Sequence, residues 1–317
     1  MWRPCKIRGF AHVVDHTQDR PTKDELGGPG PLDAGMRPDP SEPATRHDRR
    51  SLTYANSFDS PLRATAIRSI EWLTGKISII RMVREFERRG APRGQEFWPA
   101  ALDVMGIPLG TPEEQLARIP KDGPVVVVAN HPHGLVDGMI LAELIGRVRS
   151  DYKILTRALL TGIDEVASSY MIPVPFPYED DAQRKFVEMR GQAMAHLKAG
   201  GLITLFPSGV VASSDSMFGP VIEREWNVFT AQMIRRSGAQ VVPVHFTGSN
   251  SRLYQIANRI SATLRQGLLL HEIVHSCNKP QSPVIGHPVP REKLDEVKTD
   301  PRGFMAWLRA HTLSLEG

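Results

Sequence analysis

The clearest signal in the chain is a four-valine run at 125–128, apolar at every position, the pattern of a strand covered on both faces. It empties into a polar string, Asn130-His131-Pro132-His133-Gly134, followed after Leu135 and Val136 by a carboxylate, Asp137. Apolar residues then return through Met139, Leu141, Leu144 and Ile145, which predicts a helix over 139–148 and puts the polar cluster in a strand-to-helix loop. A second short apolar strand begins at Leu202 and is stopped by Pro207 and Gly209, leaving Ser208 in the turn. The patterning predicts further strands at 152–156 and 241–246, and helices at 182–198, 223–236 and 300–313. Strands alternating with helices imply the α/β class, a central mostly parallel sheet flanked by helices. If the strands from Val125 and Leu202 are neighbours, their loops open on one edge, where a rigid sheet presents polar groups to ligands. There is no internal repeat.

Ahead of this core, residues 62–89 form an amphipathic helical region. Ile67, Ile70, Leu73, Ile77 and Ile80 recur every three to four positions, Arg63, Arg68, Lys76, Arg81 and Arg84 fill others, and Trp72 and Phe86 flank them. Read as a basic helical pair broken at Gly75, the stretch would lie in a bilayer interface; the same stripe would equally pack on the sheet. No run approaches the roughly 20 apolar residues of a spanning helix. Residues 1–50 read as a disordered tail, with Gly27-Gly28-Pro29-Gly30-Pro31, then Pro38, Pro40 and Pro43, and no apolar period. The tail lacks the apolar segment of a secretory signal, and Met36 is a candidate start of translation. The economical count is one main domain, 51–317, behind that tail.

Composition narrows the partners. Of 317 residues, 41% are hydrophobic and 23% charged, ordinary for a globular protein with a sizeable core. A net charge of +4 favours an anionic lipid surface or an acidic carrier protein. Nucleic acid is not expected, because no zinc-finger spacing or aromatic-basic repeat accompanies the charge. Cys5 and Cys277 are too few and too far apart for a disulfide framework or a thiolate cluster.

The loop chemistry needs a base and a group to orient it. A neutral imidazole takes a proton from an attacking hydroxyl or amine, and a carboxylate on its other nitrogen fixes the tautomer; His131 with Asp137 has that composition. The competing reading has His131 capping the helix and Asp137 in its first turn, where the dipole favours a carboxylate. A serine hydrolase is not expected, since Phe206 and Val210 occupy the glycine positions of a nucleophile elbow around Ser208. His131, His133 and Asp137 are good metal-ligand types, and His271 and His275 stand four apart, yet neither set completes a zinc motif and no metal is expected. Arg157, Arg184 and Lys185 could border an anionic pocket, but read better as solvated charges.

The Asn130-His131 start, Asp137 and the later Phe206-Pro207-Ser208-Gly209 resemble the 1-acylglycerol-3-phosphate acyltransferase family, with its His-x4-Asp and Phe-Pro-Glu-Gly motifs. Here five residues separate His131 from Asp137, and Ser208 stands at the glutamate position. The chain is most similar to the bacterial branch called hemolysin-like or ornithine-lipid acyltransferases, with a His-Pro-x-Gly loop, Val242-Pro243-Val244-His245-Phe246 and Gly248-Ser249-Asn250-Ser251-Arg252-Leu253-Tyr254-Gln255. The likeness runs from about residue 51 to the C-terminus.

That resemblance implies a glycerolipid-acyltransferase-like fold and acyl transfer without a covalent enzyme intermediate. His131 would activate the acceptor and Asp137 support it, with acyl carrier protein or acyl-coenzyme A as thioester co-substrate and no other cofactor. The His-Pro-His-Gly string is also similar to the loop of type 2 diacylglycerol acyltransferases, which keeps His133 as a second candidate base behind His131. Substrate contacts would come from Asn130, His133, Gly134, Phe206, Pro207, Ser208, Gly209, Pro243, Asn250, Ser251 and Arg252. The expected acceptor is a lyso-lipid of membrane phospholipid or glycerolipid biosynthesis. The missing family glutamate and its following arginine, associated with phosphate binding, make an amino-acid-containing lipid the alternative. A non-catalytic lipid-binding protein is the reading of another class. The expected location is peripheral, on the cytoplasmic membrane.

Overall fold

A computed structural model describes residues 60–157, 168–175 and 181–315. Its centre is a six-stranded sheet built from β1 (Val125–Ala129), β2 (Tyr152–Arg157), β3 (Met171–Val174), β4 (Leu202–Leu205), β7 (Gln240–His245) and β8 (Val284–Ile285), in the order β3-β2-β4-β1-β7-β8. All pairings are parallel except that of β8 with β7. β1 lies between β4 and β7, with Val128 opposite Leu205 on one side and Pro243 on the other. The valine run is explained by this position. Val125, Val127 and Ala129 enter a core with the helices Phe97–Val104 and Leu135–Gly146, while Val126 and Val128 enter a second core beneath Ala182–Lys198, Val228–Ser237 and Pro301–Leu313.

The strand expectations at 125–128, 152–156 and 241–246 hold to within a residue, as do the helices at 182–198 and 300–313. Two helices differ. The one expected from 139 starts at Leu135, so Asp137 stands in its first turn rather than in the loop. The one expected over 223–236 is shorter, Val228–Ser237, because Asn227 caps it by accepting from the Phe229 N–H at 2.8 Å. The residues before it form an antiparallel ribbon of β5 (Ser213–Ser214) and β6 (Val221–Ile222).

The 62–89 region is not broken at Gly75. Pro61–Glu71 continues through a π turn, Trp72–Lys76, into Ile77–Arg88. A Cβ at Gly75 would lie 2.9 Å from the carbonyl carbon and oxygen of Leu270, so the glycine lets this rod press against the helix Leu269–Ser276. Ile67, Ile79 and Phe86 are buried on the protein, whereas Leu62, Trp72, Leu73 and Ile77 are exposed. One face therefore packs and the other meets solvent. Among the described residues no helix is long and apolar enough to cross a membrane. The tail 1–50 and the side chains of Arg63 and Arg157 lie outside the described residues; Arg184 is exposed and paired with Glu188 at 2.6 Å.

Candidate active site

The sheet order places the loops after β4, β1 and β7 side by side, since these three strands run parallel and adjacent. Backbone bonds join them. The Ala212 N–H donates to the His131 carbonyl at 2.8 Å, and the Asn250 N–H donates to the Pro132 carbonyl at 3.2 Å. Asn130, the first residue past β1, donates through Nδ2 to the Phe246 carbonyl at 2.8 Å and accepts the Phe246 N–H at 2.7 Å. Its amide thus extends the β1–β7 ladder by one rung and is buried, so it positions the loop rather than facing a substrate.

Asp137 organises the loop. Fully buried in the helix first turn, it accepts from His131 Nδ1 at 3.0 Å, His133 Nδ1 at 2.9 Å, the His133 N–H at 2.8 Å and the Gly134 N–H at 3.1 Å. Three of these four donors converge on Oδ2, and the fourth, His133 Nδ1, takes Oδ1. Both readings of the sequence meet here: the carboxylate reaches back to the backbone N–H of the helix cap and also holds imidazoles. Burial pushes the Asp137 carboxyl up, but the hydrogen bonds from His131 and His133 outweigh it and hold it below the usual carboxylate range. An ionised carboxylate only accepts, so each ring presents an N–H at Nδ1 to it and directs Nε2 away from it.

The two histidines differ in access. The His131 side chain is 17% exposed and stacks on Phe206, with centroids 3.8 Å apart at 18°. The His133 side chain is 7% exposed, and its Nε2 lies against Gly248, where a Cβ would sit 2.8 Å away. Gly248, at φ +95°, is what allows His133 to fit. His131 is the more accessible of the two imidazoles.

A carboxylate that sequence reasoning missed lies behind His131. Glu223 is buried, accepts the His131 N–H through Oε2 at 3.1 Å, and is held by Trp226 Nε1 donating to Oε1 at 3.0 Å. The signal was hidden because 223–226 were assigned to a helix; a Glu-Arg-Glu-Trp string after a turn proline would have marked it. Glu272 was missed as well. It lies buried between His271 and His275 and accepts the Ser251 N–H at 2.7 Å and hydroxyl at 2.6 Å. Ser251, expected at the substrate, is thereby the clamped N-cap of the helix Arg252–Ile260.

The remaining candidates separate by position. Phe206 to Gly209 form a tight turn closed by the Gly209 N–H on the Phe206 carbonyl at 2.9 Å, with Ser208 Oγ donating to the Val210 carbonyl at 2.8 Å and the Pro207 carbonyl accepting from Asn227. Asn250 is buried beside Pro132, with an Oδ1 that has no hydrogen-bond partner among the described residues. Pro243, expected among the substrate contacts, lies buried inside β7, where its carbonyl accepts the Gly286 N–H at 2.8 Å; it shapes the sheet. Arg252 points outward and donates to the Gly219 carbonyl at 2.9 Å. His271 binds the Thr74 carbonyl through Nδ1 at 3.2 Å, and among the described residues no group of three His, Cys, Asp or Glu is placed to hold a metal ion.

A carboxylate-held imidazole at the carboxyl edge of a parallel sheet suits proton abstraction, and the family model for acyltransferases matches residues 53–275. The chain belongs to the acyltransferase family. This acyltransferase is 26% identical over 211 residues to a lyso-glycine lipid O-acyltransferase of Phocaeicola vulgatus, covering 64% of this chain and 70% of that protein. It is 28% identical over 212 residues to the enzyme of the same name from Bacteroides thetaiotaomicron, covering 64% and 71%. Among solved structures it is similar to the 1-acyl-sn-glycerophosphate (LPA) acyltransferase PlsC from Thermotoga maritima, at 15% identity and a TM-score of 0.41 over 83% of this chain and 87% of that one.

Proposed function

We propose that this acyltransferase moves a fatty acyl group from a thioester, of acyl carrier protein or coenzyme A, to the free hydroxyl of a lyso-lipid bearing an amino acid head, as in a lyso-glycine lipid. The observation that carries the reaction is the shared carboxylate of Asp137, which leaves His131 Nε2 as the accessible base at the meeting point of three loops. His131 takes the proton of the acceptor hydroxyl as its oxygen attacks the thioester carbonyl carbon. The tetrahedral intermediate collapses with cleavage of the carbon–sulfur bond, and the imidazolium returns the proton to the leaving thiolate. Asp137 stabilises the imidazolium, Phe206 holds the ring by stacking, and His133 completes the carboxylate's hydrogen bonds.

Two things favour an amino acid head over a phosphate: both named relatives act on lyso-glycine lipid, and Ser208 spends its hydroxyl on Val210 where the resembling family has a glutamate. The exposed apolar face of Leu62, Trp72, Leu73 and Ile77 supports work at a membrane surface. The test offers purified protein long-chain acyl-coenzyme A or acyl carrier protein with lyso-glycine lipid, lyso-ornithine lipid and lysophosphatidic acid, read by product mass. An acylated lyso-aminolipid, absent with His131→Ala, is the expected result; acylation of lysophosphatidic acid alone would overturn the acceptor assignment.

A further inference from the structure

Among the described residues, the exposed large hydrophobic side chains fall mainly on a few segments. Apart from Val187 and those on the 61–88 rod, the exposed ones among the described residues lie on segments that lead out of the site loops: Val210 after β4, Met217, Phe218 and Ile222 on the β5–β6 ribbon, and Leu253 and Ile260 on the helix Arg252–Ile260. Phe218, 81% exposed, and Met217 stand at the tip of the β5–β6 ribbon, whose strand β6 runs directly into Glu223 behind His131. Leu253 and Ile260 are seven residues apart, so they share a face of the helix Arg252–Ile260, which also carries exposed Arg252 and Arg259.

Ribbon and helix are fixed to one another. Arg252 donates to the Gly219 carbonyl beside Phe218, and Gln255 accepts the Ser214 N–H at 2.8 Å. Beneath them, Tyr254, Ala257 and Leu268 form a small buried cluster that packs with Val211 of the β4 loop and Ile70 of the 61–71 helix. The ribbon and the helix are thus tied to each other by hydrogen bonds, and the helix is tied to the β4 loop and to the rod through this buried cluster. A soluble partner groove would be concave; this is a projecting aromatic tip beside an arginine-bearing helix, the pairing of insertion and headgroup attraction that suits an anionic bilayer.

We infer that the ribbon tip at Met217 and Phe218, with the Leu253/Ile260 face, is a second lipid contact that seats the site mouth on an anionic membrane. This rests on the proposed function for its substrate, though not for its binding readout. The test compares wild type with Met217→Ser/Phe218→Ser, Leu253→Ser/Ile260→Ser and Arg259→Gln. Each is sedimented with vesicles of phosphatidylcholine alone or with phosphatidylglycerol, and assayed on vesicle-borne long-chain and on water-soluble short-chain lyso-aminolipid. The expected result is vesicle binding weakened about tenfold or more in the two apolar variants. Arg259→Gln should lose only the phosphatidylglycerol-dependent part. All three should raise KM on the vesicle-borne acceptor while keeping wild-type turnover on the soluble one. Unchanged vesicle binding in both apolar variants would overturn the inference, as would equal activity loss on soluble and vesicle-borne acceptors. Absent turnover on every acceptor with binding still lost in the variants would instead count against the proposed function and leave the contact standing.

Discussion

At the residue scale the account turns on one carboxylate serving four donors. Asp137 has its acid strength raised by the two imidazoles against the opposing effect of burial, which makes its ionised form part of the native structure. A depressed folded-state value contributes stability that is present above the unfolded value and lost as pH falls through the folded one. Asp137→Asn is therefore expected to lower stability near neutral pH by on the order of 2–3 kcal/mol, the worth of a charge-assisted hydrogen bond. That deficit should shrink as pH drops below the ordinary carboxylate range. Urea denaturation of both proteins across acid and neutral pH measures it; a deficit that grows on acidification would contradict the assignment. The pair His131 and Asp137 was legible in the sequence as residue types at a strand exit. The use of His133 on the second carboxylate oxygen was not, since it depends on the clearance at Gly248, which only the loop after β7 supplies.

At the scale of elements, the four inner strands β2, β4, β1 and β7 were read and the edge strands β3 and β8 were not: β1 alternates between two cores, so no polar residue interrupts its pattern, whereas β3 and β8 are short and lie at the sheet edges. Helix starts were read poorly. The helix after β1 begins four residues early because Asp137 supplies a cap from inside its first turn, and the one expected from 223 begins late because Asn227 caps it. Gly75 was taken for a breaker, whereas its role is close approach: the helix continues, and only hydrogen fits against Leu270. Gly75→Ala must push the rod away from the helix Leu269–Ser276, because the atoms in its way are backbone. The expected cost is about 1–3 kcal/mol, typical of overpacking, visible as a lowered Tm with the far-ultraviolet circular dichroism unchanged. A neutral substitution would mean that the rod is not seated on that helix.

At the scale of the molecule, the site exists because β4 inserts between β2 and β1 and β7 closes the other side, bringing the loop after β1 together with loops that begin more than 70 residues further along the sequence. Adjacency of the strands from Val125 and Leu202 was a conditional expectation, and the sheet order supplies it. Long-range partners were beyond reach of local patterning. Glu223 meets His131 across 92 positions and Asn130 meets Phe246 across 116, contacts that no periodicity reports. Family membership adds the reaction class, and the lyso-lipid acceptor follows by proposal from its relatives.

The central claim is that His131, and not its equally hydrogen-bonded neighbour, is the base. The most direct measurement is the turnover of His131→Ala and His133→Ala side by side on lyso-glycine lipid, with circular dichroism confirming that both are folded. The account predicts a loss of about 10²–10⁴-fold for His131→Ala, the range of a general base, and a smaller one for His133→Ala through a loosened Asp137. Near wild-type turnover in His131→Ala, or the larger loss falling on His133→Ala, would contradict it.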